Sequence, residues 1–253
     1  MEGIGVMANE IYLQGAGESL DQIGAQNNRK KRKNWWIEHR MQLLLILVVL
    51  IGIGVLFYTL FFQAAPDYRI GLITSYTMPS EAVDQLEARF AQYGEDINED
   101  GKVIVSLSTY SIPSSLDTQQ RENTLLRLEA DIATDEVLIF LYNEDGFAQV
   151  EEEMKGLFQY SDGTPMGQDA TDFENARESW SDFAGLAQFE PQATSDGQYD
   201  SQQLTTLFDQ LWVSTRTSEG RIEESYWAKD YYDQCMDLLE RVRQGETTTA
   251  KEE

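Results

Sequence analysis

Met41–Phe62, MQLLLILVVLIGIGVLFYTLFF, runs for 22 residues without a charge. A helix rises about 1.5 Å per residue, so a run of this length matches a hydrocarbon core of about 30 Å. Apolar residues cover every face of such a helix, which does not suit a helix buried along one side of a soluble core. Trp35 and Trp36 precede the run, and Tyr58, Phe61 and Phe62 close it. Aromatic rings of this kind favour the two membrane interfaces. Arg29, Lys30, Lys31, Arg32 and Lys33 lie just upstream and Arg40 abuts the run, so the positive-inside rule places the N-terminus in the cytoplasm. The run is too long, and starts too far into the chain, for a cleaved secretory signal. It also ends without a cysteine to accept a lipid. The reading is an uncleaved signal anchor in the cell membrane, with the C-terminal part outside.

Charge divides the chain at this run. The formal net charge is -25, and residues 63–253 hold 13 basic against 39 acidic side chains. A domain so acidic repels nucleic acid and anionic lipid headgroups and attracts cations. The expected organisation is a cytoplasmic tail over residues 1–40, mostly disordered, a transmembrane helix over 41–62, an extracellular domain over 67–245 and a polar tail over 246–253. Cys235 is the only cysteine, so the domain is held by its core and not by an intrachain disulfide.

Within the domain, apolar runs alternate with helical patterns. Tyr68–Thr74, Val103–Ser108 and Glu136–Leu141 read as strands. Between them, Val83, Leu86 and Phe90 mark one helix, opened at Pro79-Ser80 and stopped by Gly94. Leu125, Leu128 and Ile132 mark a second, with Asp117 and Gln120 placed as a capping box. Strands joined by helices of this length imply right-handed crossovers and a parallel sheet. The fold class is therefore α/β: a largely parallel sheet in a three-layer domain, following a single transmembrane helix. Further on, Phe173, Ala176, Trp180, Phe183 and Ala187 read as a helical stripe, and Leu211–Thr215 as a fourth strand. Trp227, Tyr231, Cys235, Leu238 and Val242 make the apolar stripe of a long terminal helix, leaving Tyr226 and Tyr232 off it.

The segment Tyr68–Phe147 resembles the opening lobe of extracellular solute-binding proteins of the type 2 periplasmic-binding fold. With the apolar anchor, the loop Gly94–Val103 and the run Val137–Leu141, the chain also resembles small membrane-anchored proteins of Gram-positive bacteria. The resemblance implies one compact lobe, since a two-lobed clamp needs more residues than remain.

Two groups of residues carry chemistry. Asp96-Ile97-Asn98-Glu99-Asp100-Gly101 has oxygen side chains at alternate positions and then glycine, the first half of an EF-hand-type calcium loop. Asp96, Asn98 and Asp100 would be the ligands. Leu107 occupies the position of the bidentate glutamate, so a remote carboxylate would complete the shell. The same residues also make an ordinary helix-to-strand turn. The second group is Tyr76 and Thr77, Tyr110 and Ser111, and Tyr142 and Asn143, which follow the three strands. In an open parallel sheet, loops at the carboxyl ends of the strands meet, and ligands favour the point where strand order reverses. These residues suit a polar ligand or a peptide partner, or they serve only as helix-entry turns. The only histidine, His39, precedes the run, which removes Ser-His-Asp hydrolysis and His-ligated zinc from the outer domain. The functional expectation is a binding or assembly module, an accessory subunit contacting a protein partner of the envelope or a transport complex, and not an enzyme. The alternatives are a small-ligand sensor or solute-binding receptor, and a carboxylate-dependent enzyme.

Overall fold

The structure is a computed structural model that describes residue 39, residues 41–42 and 44–55, and residues 65–248. The chain divides into two compact units, Met1–Gln63 and Ala64–Glu253. In the first, residues 44–55 are helical and every side chain there is exposed, including Leu44, Ile46, Val48, Leu50 and Ile53. This stretch spans roughly 18 Å at 1.5 Å per residue. Among the described residues no helix is long and apolar enough to cross a membrane. Residues 43 and 56–62 of the expected span, and both expected tails except for residues 39 and 246–248, lie outside the described residues.

The second unit is an α/β domain. Its elements in order are β1 (Tyr68–Thr74), α1 (Ser80–Ala91), β2 (Val105–Ser111), α2 (Thr118–Ala133), β3 (Val137–Tyr142), α3 (Glu144–Phe147), β4 (Glu178–Ser179), α4 (Ala184–Ala187), α5 (Ser201–Asp209), β5 (Trp212–Thr215), α6 (Arg221–Glu224) and α7 (Tyr226–Gln244). One five-stranded sheet has the order β2-β1-β3-β5-β4. The first three strands are parallel, as their crossover helices require, with β1 in the centre. The strand read at Leu211–Thr215 is present, but β5 runs antiparallel to β3 and β4 antiparallel to β5. The sheet is therefore mixed, with a parallel core.

β2 begins later than the apolar run suggests and continues to Ser111. Val103 and Ile104 stand outside the ladder, because the Asp67 carboxylate takes the Ile104 N–H at 2.7 Å while the Ile104 carbonyl accepts from Asp67 and Tyr68 N–H. α2 is capped by one half of the expected box: Asp117 accepts the Gln120 N–H at 2.8 Å. β3 is apolar throughout because both of its faces are covered. The β1–β3 register shifts by one residue, with Val137 opposite Arg69 and Ile139 opposite Ile70. This bulge turns Leu138 and Ile139 to the same side.

Two apolar cores flank the sheet. On one face Ile70, Leu72, Leu107 and Leu141 meet Leu86 and Phe90 of α1, Phe208 of α5, and Tyr232, Cys235, Leu238 and Val242 of α7. On the other, Ile73, Tyr110, Phe140 and Tyr142 meet Leu128 of α2 together with Phe147, Val150, Met154, Phe158 and Phe173. The sheet is thus the middle of three layers.

Two expectations are corrected here. Residues 173–187 do not form one helix. Phe173–Asn175 and Trp180–Asp182 are separate 3₁₀ turns, with edge strand β4 between them and the short α4 after. Phe173 and Ala176 belong to one core, and Trp180 and Phe183 to the other. The segment crosses the sheet edge from face to face, which a single helix cannot do. In α7 the stripe at Tyr231, Cys235, Leu238 and Val242 packs on the core as expected, but it is wider and shorter than read: Tyr232 is buried too, while Trp227 is exposed together with Tyr226. Cys235 is buried as expected. The chain also stays attached beyond Gly245, where Thr248 N–H donates to the Gln92 carbonyl at 3.1 Å.

Candidate functional site

The carboxyl edge of the parallel strands is where the six predicted contact residues fall. Strand order reverses between β1 and β3, as expected for order 2-1-3. The reversal point is closed by the protein itself. Asn143 Oδ1 accepts the Ser75 N–H at 2.9 Å, and its Nδ2 donates to Ser75 Oγ at 2.9 Å. Asn143 also caps α3 by accepting the Gly146 N–H. A Cβ on Gly146 would lie 2.8 Å from the Thr74 carbonyl carbon and 2.9 Å from the Ser75 nitrogen, so glycine lets α3 press directly onto the end of β1.

The three tyrosines point into the domain. Tyr110 is fully buried and donates to Asp131 Oδ2 at 2.5 Å. Burial, and then the carboxylate beside it, raise its pKa well above the ordinary phenol value. Tyr142 is fully buried, with its hydroxyl 2.7 Å from Ser214 Oγ, which in turn donates to the Ala176 carbonyl. Burial pushes the Tyr142 pKa up to about 12. Tyr76 donates to the Leu207 carbonyl at 3.1 Å, and burial raises it to about 12 as well. All three are neutral phenols tied to internal acceptors or partners. Ser111 lies within the β1–β2 ladder.

Thr77 and Asn143 do reach open grooves on this edge. Thr77 lines one of about 300 Å³ with Glu81, Thr194, Asp196 and Tyr199. Asn143 lines another of about 280 Å³ with Glu144, Asp145, Asp209 and Trp212. Beside the second, Arg177 pairs with Glu144 at 3.3 Å and stacks over the Trp212 ring at 4.1 Å. The acids of these grooves were not singled out from the sequence. In a chain with so many carboxylates, nothing but the fold selects Glu81 with Asp196, or Glu144 with Asp209.

The predicted calcium loop sits at the opposite, amino edge. Asp96 Oδ1 accepts the Asp100 N–H at 3.1 Å and Oδ2 the Gly101 N–H at 2.7 Å. Asn98 Oδ1 also accepts the Asp100 N–H, and Asp100 Oδ1 the Lys102 N–H. Glu99 and Gly101 take positive φ of 57° and 86°. These are the bonds of a tight polar turn. Asp96 and Asn98 meet at the Asp100 N–H, while Asp100 turns its Oδ1 to the Lys102 N–H. Among the described residues no group of three or more His, Cys, Asp or Glu is placed to hold a metal ion. The turn is fastened to the domain entrance: Asp67 Oδ1 accepts from Ile97 and Asn98 N–H, and Asn98 Nδ2 donates to the Ala65 carbonyl at 2.9 Å.

No protein-family model matches the chain, and comparison with curated proteins and with solved structures likewise finds no match.

Proposed function

We propose that the chain is a membrane-anchored binding or assembly module. Residues 41–62 cross the cell membrane with the N-terminus in the cytoplasm. The acidic α/β domain stands outside as an accessory subunit of an envelope or transport complex. The observation that carries this reading is the helix at 44–55, whose apolar side chains are all exposed. Apolar surface on every side of a helix needs lipid around it. The uncharged sequence on both sides of this helix and the basic cluster before it supply the length and the orientation.

The partner surface in this reading is the carboxyl edge. Its two acid-lined grooves suit a basic segment of a partner protein, which electrostatic complementarity would steer to them. The parallel order β2-β1-β3 supports the likeness to one lobe of a solute-binding protein. Calcium at Asp96, Asn98 and Asp100 belongs to the same proposal, as a brace for the turn beside the domain entrance.

Alkaline carbonate extraction of membranes tests the anchor. The full chain is expected to stay in the membrane pellet, and a Leu47→Arg/Val48→Arg variant to be released. Release of the unaltered chain would overturn the reading.

A further inference from the structure

The sheet has two edge strands, and side chains cover backbone groups on both. β4 is one edge, only two residues long, and its outward N–H, that of Ser179, donates to Asp182 Oδ2 at 3.0 Å. β2 is the other edge, with seven residues, VSLSTYS, that include no charge and no proline. An uncharged edge of that length is a template for pairing with another chain. Its backbone groups alternate in direction. The Ile104 carbonyl accepts from Tyr68 and the Ile112 N–H donates to Thr74 at 2.7 Å, so the even-numbered residues bond to β1. Val105, Leu107, Thr109 and Ser111 therefore turn their N–H and C=O groups outward.

Two long side chains occupy the middle of this edge. Glu87 of α1 accepts the Leu107 N–H at 2.7 Å. Arg127 of α2 donates to the Thr109 carbonyl and lies over the Tyr110 ring at 4.9 Å. The two come from opposite layers, since α1 and α2 cover different faces of the sheet. The groups they take are the ones that would bond to each other between two copies of the chain. If β2 of two copies met antiparallel about a two-fold axis at Ser108, Leu107 of each would stand opposite Thr109 of the other. Outward residues so placed exchange both of their hydrogen bonds, so each Leu107 N–H would donate to the other copy's Thr109 carbonyl.

We propose that Glu87 and Arg127 form an autoinhibitory contact: they hold the β2 edge against strand addition, and without them the domain pairs through β2 with a second copy of itself. The inference concerns the domain alone and does not depend on residues 41–62 spanning a membrane. It also accounts for an edge strand that lacks protection in its own sequence, because the protection is lent by the two helices that flank it.

The test uses the full chain in detergent, carrying Ser108→Cys and oxidised mildly. Across the two-fold axis the residue 108 positions form a non-hydrogen-bonded pair, with Cα atoms about 4.5 Å apart, which a disulfide can span. Cys235 is buried and takes no part. On a non-reducing gel the Ser108→Cys chain is expected to run as a monomer. Adding Glu87→Ala and Arg127→Ala is expected to raise the disulfide-linked dimer about tenfold. Association through any other surface keeps the residue 108 positions apart and gives no such rise. An unchanged dimer fraction in a triple variant that still melts cooperatively would overturn the inference. So would a Ser108→Cys chain that cross-links as fully with Glu87 and Arg127 in place. If the triple variant does not melt cooperatively, Arg127→Ala with Ser108→Cys decides, because Arg127 is exposed and its loss leaves the fold standing. A smaller rise in dimer is expected there, and no rise would overturn the inference.

Discussion

Tyr142 and Tyr110 show how a single residue's place in a strand decides what it can do. They look like loop residues only if their strands are ended at Leu141 and Ser108. The ladder runs on, so Tyr142 falls on the same face as Phe140, and Tyr110 reaches the same core. Asn143, the next residue along, keeps a polar site because it has left the ladder. This was legible in the β-branched and aromatic composition of the strands but not in their ends, which turn chemistry marks weakly. Buried neutral phenols carry a pH signature. For Tyr76 and Tyr142 the folded pKa is about 12, above the ordinary phenol value near 10. The folded state therefore holds more protons between these values, and stability, full below pH about 10, falls as pH rises toward 12. Titration at the phenolate absorbance band should show these two groups ionising near pH 12 in the folded protein, or earlier where it unfolds, and Tyr142→Phe should lower stability at neutral pH by about 1 kcal/mol. The turn at Asp96–Gly101 yields a second residue-scale outcome. If calcium sits there, added calcium raises the melting temperature and Asp100→Ala abolishes the rise. An equal rise in both would mean general screening of an acidic surface.

At the scale of elements, the first half of the domain follows its sequence closely and the second half does not. α1 and α2 each turn an apolar face to the sheet, and β1, β2 and β3 feed side chains into both cores. The segment 173–187 mimics a helical stripe only because residues serving two different cores fall at three- and four-residue steps. α7 keeps its period from Tyr231 to Val242 and adds Tyr232, which donates to Gln159 Oε1 at 2.9 Å, while Trp227 is exposed. One junction between elements depends on charge. At the end of α2, Asp135 adopts φ 59°, a left-handed conformation that aspartate tolerates better than most residues. There its Oδ1 accepts from Arg216 at 2.5 Å and from Arg221 at 3.0 Å, while Arg216 also donates to the Ile132 carbonyl. Arg216 and Asp135 expose only 12% and 15% of their side chains. Burial lowers the Arg216 pKa, and the Asp135 charge opposes that fall. Asp135→Ala would leave a nearly buried guanidinium without its carboxylate, and chemical denaturation is expected to show a loss of about 3 kcal/mol. A loss below about 0.5 kcal/mol would mean that water takes over the carboxylate's part.

For the whole molecule, the division into an apolar run and an acidic α/β domain is the feature from which everything else follows. The charge asymmetry and the apolar run were plain in the sequence, because they are sums over many residues and need no fold to be seen. The acid-lined grooves and the exposed Tyr226–Trp227 pair were not, since both depend on where α5, α7 and the 173–187 segment finally pack. The central claim is that the domain stands outside the membrane, held by residues 41–62. Its most direct test is an impermeant protease added to intact cells that express the chain, with antibodies against residues 1–28 and against the domain. The account predicts that the domain signal is lost from intact cells while the N-terminal signal survives until lysis. A domain that is protected in intact cells and cut only after lysis would contradict it.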